Sequence, residues 1–197
     1  RTLAALFAFV YFTAVGARFG DVILAANAVL MHLFTFLSLG LDGFAHTVEA
    51  LGGSAYGRRD LKAFRASVKI STQWAVIVAI AFTVAFWLGG PLLIDTITNI
   101  EPVRVATREY LWWMIALPII SIWSFQLDGI FIGATHTREM RDGMLISLLL
   151  FLGVVWVAEP FWGNHGLWVA LVVFMIARAV TLWVWYPRIE RQIEDHH

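Results

Sequence analysis

Apolar residues run along this chain in six long blocks, broken by short polar joints. A bilayer core about 30 Å thick needs roughly 20 residues of helix to cross it. The blocks predict six membrane-crossing helices at 3–19, 22–56, 66–96, 103–135, 141–160 and 165–187. Gly16 to Asp21 reads as a tight turn and Gly57 to Asp60 as the opening of a polar loop. Gly89-Gly90-Pro91 is expected to begin an exit from the membrane, Glu101-Pro102 to precede the next entry, and Pro187 to end the sixth helix. The first and fifth blocks are short, so their helices are expected to extend into the flanks.

Within two blocks the polar residues fall in register. In the second they stand at His32, Thr35, Asp42, His46 and Glu49, followed by Gly53. These steps of three, four and seven share one helical face. From His32 to Glu49 the rise is roughly 25 Å, so a polar stripe crosses most of a membrane. Lipid cannot face it; other helices or a water-filled cavity must. In the fourth block Ser121, Ser124, Asp128 and Thr135 repeat the pattern one turn beyond Pro118, which can kink the helix. Asp128 lies deep in apolar sequence, at a cost of roughly 2.5–3.5 kcal/mol on insertion scales. A charged cluster at Arg138, Glu139, Arg141 and Asp142 closes that stretch. Gly53-x-x-x-Gly57 and Gly129-x-x-x-Gly133 have the spacing of close helix contacts.

Composition narrows the class. The chain is 60% hydrophobic and 14% charged, against about 45–50% and 25% in soluble domains. It is therefore all-α and integral to a membrane, one six-helix bundle over residues 1–197. Cysteine is absent, which removes disulfides, thiolate metal sites and cysteine nucleophiles. The first residue is Arg1, so a longer parent protein is expected, and the closing His196-His197 reads as a tag remnant.

Charge distribution orients the bundle. With six spans, one side carries Arg1, Arg58, Arg59, Lys62, Arg65, Lys69, Arg138, Arg141, Arg188 and Arg191; the other carries Arg18, Arg104 and Arg108. The positive-inside rule then places both ends in the cytoplasm. Trp112, Trp113, Trp162 and Trp168 are expected at the outer interface, Trp183 and Trp185 at the inner one. Arg178 stands inside the sixth helix and is expected to pair within the bundle.

Two readings of the acids stay open. Asp128, Asp42 and Glu49 can each be a buried carboxyl that bonds a neighbouring helix, with His46 or Arg178 as partners for the last two. Alternatively, they take up and release protons, Na⁺ or a cationic substrate; burial favours a protonated carboxyl. Asp42, His46 and Glu49 share a face and, with Asp128, could ligate Zn²⁺ or Mn²⁺, yet they fit no closed metal motif. No metal site is expected.

Leu39-Gly-Leu-Asp-Gly-Phe-Ala-His-Thr-Val-Glu-Ala-Leu-Gly-Gly-Ser-Ala-Tyr-Gly57 resembles the eighth helix of the MATE (multidrug and toxic compound extrusion) transporters, in their DinF-like branch. Gln126-Leu-Asp-Gly-Ile-Phe-Ile-Gly-Ala-Thr-His-Thr-Arg-Glu-Met-Arg-Asp142 resembles their tenth helix and the loop after it, and Gly20 to Asn27 the turn into the eighth. The resemblance implies the C-terminal lobe, helices seven to twelve, of a twelve-helix carrier. Such carriers export organic, often cationic, compounds in exchange for H⁺ or Na⁺, as their two lobes rock between outward-open and inward-open forms.

The partners so implied are an N-terminal six-helix lobe, the lipid bilayer and a small organic substrate; no nucleic acid and no cofactor beyond the coupling ion are expected. The location implied is the inner or plasma membrane of the cell. No catalytic residue is expected. Asp128 matches a cation-binding acid on the tenth helix of some family branches, whereas other branches, DinF-like members included, place coupling on acids of the first lobe. Asp42, His46 and Glu49 are expected on the central cavity, with Gln126 and Asn27 as candidate substrate contacts. The rival readings are an intramembrane metal-binding protein or enzyme, and a six-helix subunit that transports nothing.

Overall fold

The computed structural model describes residues 2–195; Arg1 and the His196-His197 pair lie outside the described residues. The order is α1 (Thr2–Gly16), a 3₁₀ turn (Ala17–Phe19), α2 (Asp21–Gly57), α3 (Leu61–Ile97), α4 (Glu101–Gly133), α5 (Thr137–Trp162) and α6 (Asn164–Glu194), with no strand among the described residues. All six helices, α1 taken with its 3₁₀ turn, are long and apolar enough to span a bilayer, making the chain a multi-pass membrane protein. At 37 residues each, α2 and α3 rise about 55 Å, so their ends project beyond the hydrocarbon. The joint into α2 turns on Gly20, whose φ of 100° and ψ of 170° suit glycine alone.

The helices pack as a bundle with α4 central: α2 and α3 lie against it on one side, α6 on the other, and α5 against α6. The main core gathers Phe12, Leu30, Leu37, Leu41, Met114, Leu117, Phe151 and Phe174. A second core at the other end joins Val48, Phe64, Ile130, Phe131, Leu182, Ile189 and Ile193. Apolar side chains also cover the outside, among them Ile70, Trp74, Ile77, Trp87, Leu149 and Trp156. That inside-out balance is expected where lipid is the solvent, because hydrocarbon gives no drive to bury apolar surface.

Both Pro91 and Pro187 lie inside helices; only Pro187 is a correction, since the helix expected over 66–96 already includes Pro91. α3 continues through Gly89-Gly90-Pro91 to Ile97. Gly90 lies against Leu111, which a Cβ there would meet at 2.7 Å. Two arginines of α4 reach back to α3's last turn: Arg104 donates to the carbonyls of Thr98 (2.7 Å) and Asp95 (2.9 Å), and Arg108 donates to the Asp95 carboxylate at 2.5 Å. Arg104 thereby satisfies carbonyls a helix end otherwise leaves open. α6 likewise runs through Pro187 to Glu194. Its extra turns bury Ile189 and Ile193, Arg65 grips Glu190 through two hydrogen bonds of 3.2 and 2.7 Å, and the Tyr56 hydroxyl donates to Gln192 at 2.8 Å. These contacts offset the hydrogen bond a helix-interior proline removes.

Two further corrections concern the stretch after Asp128 and the tryptophans. α4 stops at Gly133, and Thr135 turns the chain with a φ of 62°. The Arg138–Asp142 cluster therefore opens α5, and Thr135 stands beyond the face shared by Ser121, Ser124 and Asp128. Trp168, expected at the interface, is fully buried.

Candidate functional site

The acid at the centre of α4 is not free. Arg178 of α6 donates through Nη2 to Asp128 Oδ2, and the two side chains are 11% and 13% exposed. Neither forms another ion pair among the described residues. Arg178 Nη1 points to the sulfur of Met175 at 3.6 Å. The guanidinium carbon lies 5.7 Å from the centroid of the Phe174 ring, and Nε is buried without a partner. Intramembrane charges of opposite sign are expected to find one another, since each is expensive alone. Sequence spacing put Arg178 in the bundle; the acid it meets is Asp128, not Asp42 or Glu49.

Those two acids flank His46 instead. His46 Nε2 lies 3.6 Å from Asp42 Oδ2, and Nδ1 lies 3.2 Å from Glu49 Oε2. A protonated imidazole can serve both carboxylates at once, one through each ring nitrogen. The His46 side chain is 71% exposed, and His32, Thr35 and Asp42 are exposed on the same face of α2. Between α1 and α2 this face opens into two adjoining clefts of about 280 and 410 Å³. Thr13, Met31 and Thr35 line both, His32 lines the first and Asp42 the second. The stripe is thus an unpartnered polar surface on an otherwise apolar bundle.

The two amides are buried, Asn27 in the lining of the first cleft and Gln126 against α3. Asn27 is 3% exposed and exchanges two amide hydrogen bonds of 2.8 Å with Asn164 of α6, while the Trp168 indole donates to its oxygen at 3.0 Å. Gln126 is 2% exposed and donates to the hydroxyls of Ser71 (3.2 Å) and Thr72 (3.1 Å) on α3, with its own oxygen unpartnered. The structure therefore brings Asp42, His46 and Glu49 together, pairs Asp128 with Arg178, buries Gln126 against α3, and sets Asn27, hydrogen-bonded to α6, in the lining of the first cleft beside His32. Sequence reasoning missed Asn164, Trp168, Ser71 and Thr72 as partners, but helical phase held a signal. Asn27 lies five residues before His32, about 140° around α2, and Gln126 lies two residues before Asp128, about 200° around α4.

Replacing Asn27 with leucine is expected to strand the Asn164 amide and the Trp168 N–H in the core. Each group left buried and unpaired costs about 1–3 kcal/mol. Thermal unfolding of the purified protein in detergent checks this, and an unchanged midpoint would show that the knot does not hold α2 to α6.

Among the described residues, no group of three or more His, Asp and Glu side chains is arranged to hold a metal ion.

Comparison with known proteins is consistent across sequence and fold. The MatE family model matches residues 2–160. The DNA damage-inducible protein F of Escherichia coli (strain K12) is 41% identical over 182 residues, covering 92% of this chain and 39% of that protein. The chloroplastic protein DETOXIFICATION 45 of Arabidopsis thaliana is 23% identical over 181 residues, covering 92% of this chain and 32% of that protein. A solved structure described as the outward-facing conformation of a multidrug resistance MATE family transporter of the MOP superfamily superposes with a TM-score of 0.84. It is 14% identical, and the match covers 98% of this chain and 44% of that one. The chain spans about a third to somewhat under half of the length of these relatives.

Proposed function

Because the chain belongs to the MatE family, we propose that it is the C-terminal six-helix half of a twelve-helix antiporter that exports organic, often cationic, compounds in exchange for H⁺ or Na⁺. The observation that carries this reading is the α2 stripe, a polar face tens of ångströms long that a lone bundle in lipid could not leave uncovered. A second, N-terminal lobe would cover it and enclose an aqueous path, and the half-length match to the relatives agrees with that arrangement. Both ends of the segment would lie in the cytoplasm of a cell whose inner or plasma membrane holds the protein. Alternating access would be a rocking of the two lobes about a midplane site. Its members being transporters, the family gives no reason to expect an enzyme.

Asp128 is the coupling carboxylate in this proposal, with Asp42, His46 and Glu49 presenting charge to the path. An intramembrane carboxylate that alternates between a cation and a proton changes its burial cost with its charge, which ties ion binding to lobe position. Asp128→Asn in the full-length protein is expected to abolish export of ethidium driven by a pH gradient in proteoliposomes. Asparagine keeps an acceptor for Arg178, so the variant is expected to stay folded. Export at the wild-type rate would remove Asp128 from the coupling step.

A further inference from the structure

Arg178 has two berths. One is Asp128 Oδ2, reached by a single nitrogen, Nη2, so the pair lacks the two-bond fork geometry that arginine and carboxylate adopt when locked together. The other is a position on its own helix, one turn back, toward which the same pose already leans: Nη1 lies 3.6 Å from the sulfur of Met175, and the guanidinium carbon lies 5.7 Å from the centroid of the Phe174 ring. Asp128 in turn forms no other hydrogen bond among the described residues, so Oδ1 is left unengaged. A counter-cation that served only to neutralise a buried acid would be expected to hold both oxygens. This one is tethered to the carboxylate on one side and to a cation-binding shelf on the other.

We propose that Arg178 is a built-in competitor for Asp128. It occupies the carboxylate while no transported cation is bound, and it withdraws onto Phe174 and Met175 when such a cation takes the carboxylate. The exchange moves no covalent bond and keeps one positive charge beside Asp128 at each stage, so the acid is never buried unpaired. It also sets affinity: a site open for only a fraction of the time binds its ligand more weakly by that fraction. This rests on Asp128 being a cation site, as in the transport reading above.

The experiment measures binding of tetraphenylphosphonium to the full-length protein in detergent by calorimetry. Arg178→Gln removes the competing charge but leaves one hydrogen-bond donor for Asp128, and it is expected to tighten binding by about tenfold or more. The gain should vanish in the Arg178→Gln, Asp128→Asn double variant. Phe174→Leu spares the ion pair but removes the aromatic face, which at 5.7 Å lies near the outer limit of a cation–π contact while Arg178 is paired and is approached closely only after release, so it is expected to weaken binding about three- to tenfold.

A purely structural arginine predicts the opposite for the first variant, since loosening the bundle cannot improve a site. Binding no tighter than wild type in Arg178→Gln overturns the proposal. If that variant does not fold, unchanged or tighter binding in Phe174→Leu overturns it instead. Ethidium export by the wild-type protein is measured in parallel and reports on the transport reading separately. A gain of binding without export leaves Arg178 as a competitor in a protein that is not an exporter of this probe; export without the gain overturns the competitor alone.

Discussion

Gly129→Ala is expected to destabilise the protein by about 3 kcal/mol, the upper end of the range for overpacking a close interface, while Gly57→Ala leaves it unchanged. A Cβ on Gly129 would fall onto the carbonyl oxygen of Ala45, with the Ala45 carbonyl carbon and Val48 Cγ1 both at 2.9 Å. One on Gly133 would meet the Glu49 carbonyl oxygen at 2.6 Å, and one on Gly53 would meet the Gly133 oxygen at 2.9 Å. Each obstacle includes backbone, which cannot rotate aside as a side chain can. The three glycines form the point where α2 and α4 come closest, and α4 is the element on which α2, α3 and α6 all lean. Separating the two helices there should disturb both cores. Gly57 has nothing within 4 Å of its would-be Cβ, and it is the last residue of α2, where the helix-interior advantage of alanine over glycine does not apply. Differential scanning fluorimetry of the purified full-length protein would compare the variants. Equal midpoints for Gly129→Ala and wild type would mean that α2 and α4 are not in close contact in the membrane protein.

The two small-residue pairs show how far spacing carries. The sequence offers 53–57 and 129–133 as equal packing signals, and the structure uses Gly53, Gly129 and Gly133 but not Gly57. Four-residue spacing fixes which face a glycine is on; it does not fix how far along the helix the neighbour crosses. The six helices were legible because length and apolarity are local properties, and bilayer thickness sets a common standard for them. Their ends were less legible. Pro187 carries a strong local stop signal, yet Arg65 with Tyr56 holds the turns beyond it. Those partners are distant in sequence or on another helix, so no window around the proline contains the information.

The candidate site divides in the same way. Asp42, His46 and Glu49 recur at helical spacing, and one helix suffices to bring them together. Asn27 and Gln126 were read by residue type, as amides in apolar surroundings, and residue type does not say which neighbour an amide serves. Trp168, expected as an interfacial anchor, is buried instead for a related reason: its indole N–H donates to Asn27. Arg178 was legible as a charge needing a partner, and three acids were available; only the packing of α6 on α4 selects Asp128.

That selection predicts strong coupling between the two residues. Arg178→Leu alone should cost about 3–5 kcal/mol, because it leaves a carboxylate buried without its counter-charge. Asp128→Leu alone should cost a similar amount, since the guanidinium, 11% exposed, keeps only Met175 and Phe174. The double variant should recover most of the loss. Replacing both members of a buried pair by apolar groups is often neutral or stabilising, and in lipid the apolar alternative has little to lose. A double-mutant cycle on unfolding in detergent would therefore return a coupling energy of several kcal/mol, well above the 0.5–3 kcal/mol seen for ordinary contacting pairs. Additive losses would mean the two charges do not depend on one another. The cycle also separates stability from transport. If the leucine pair folds as well as wild type yet exports nothing, the ion pair is retained for the function of Asp128, since an apolar pair would serve the fold equally well.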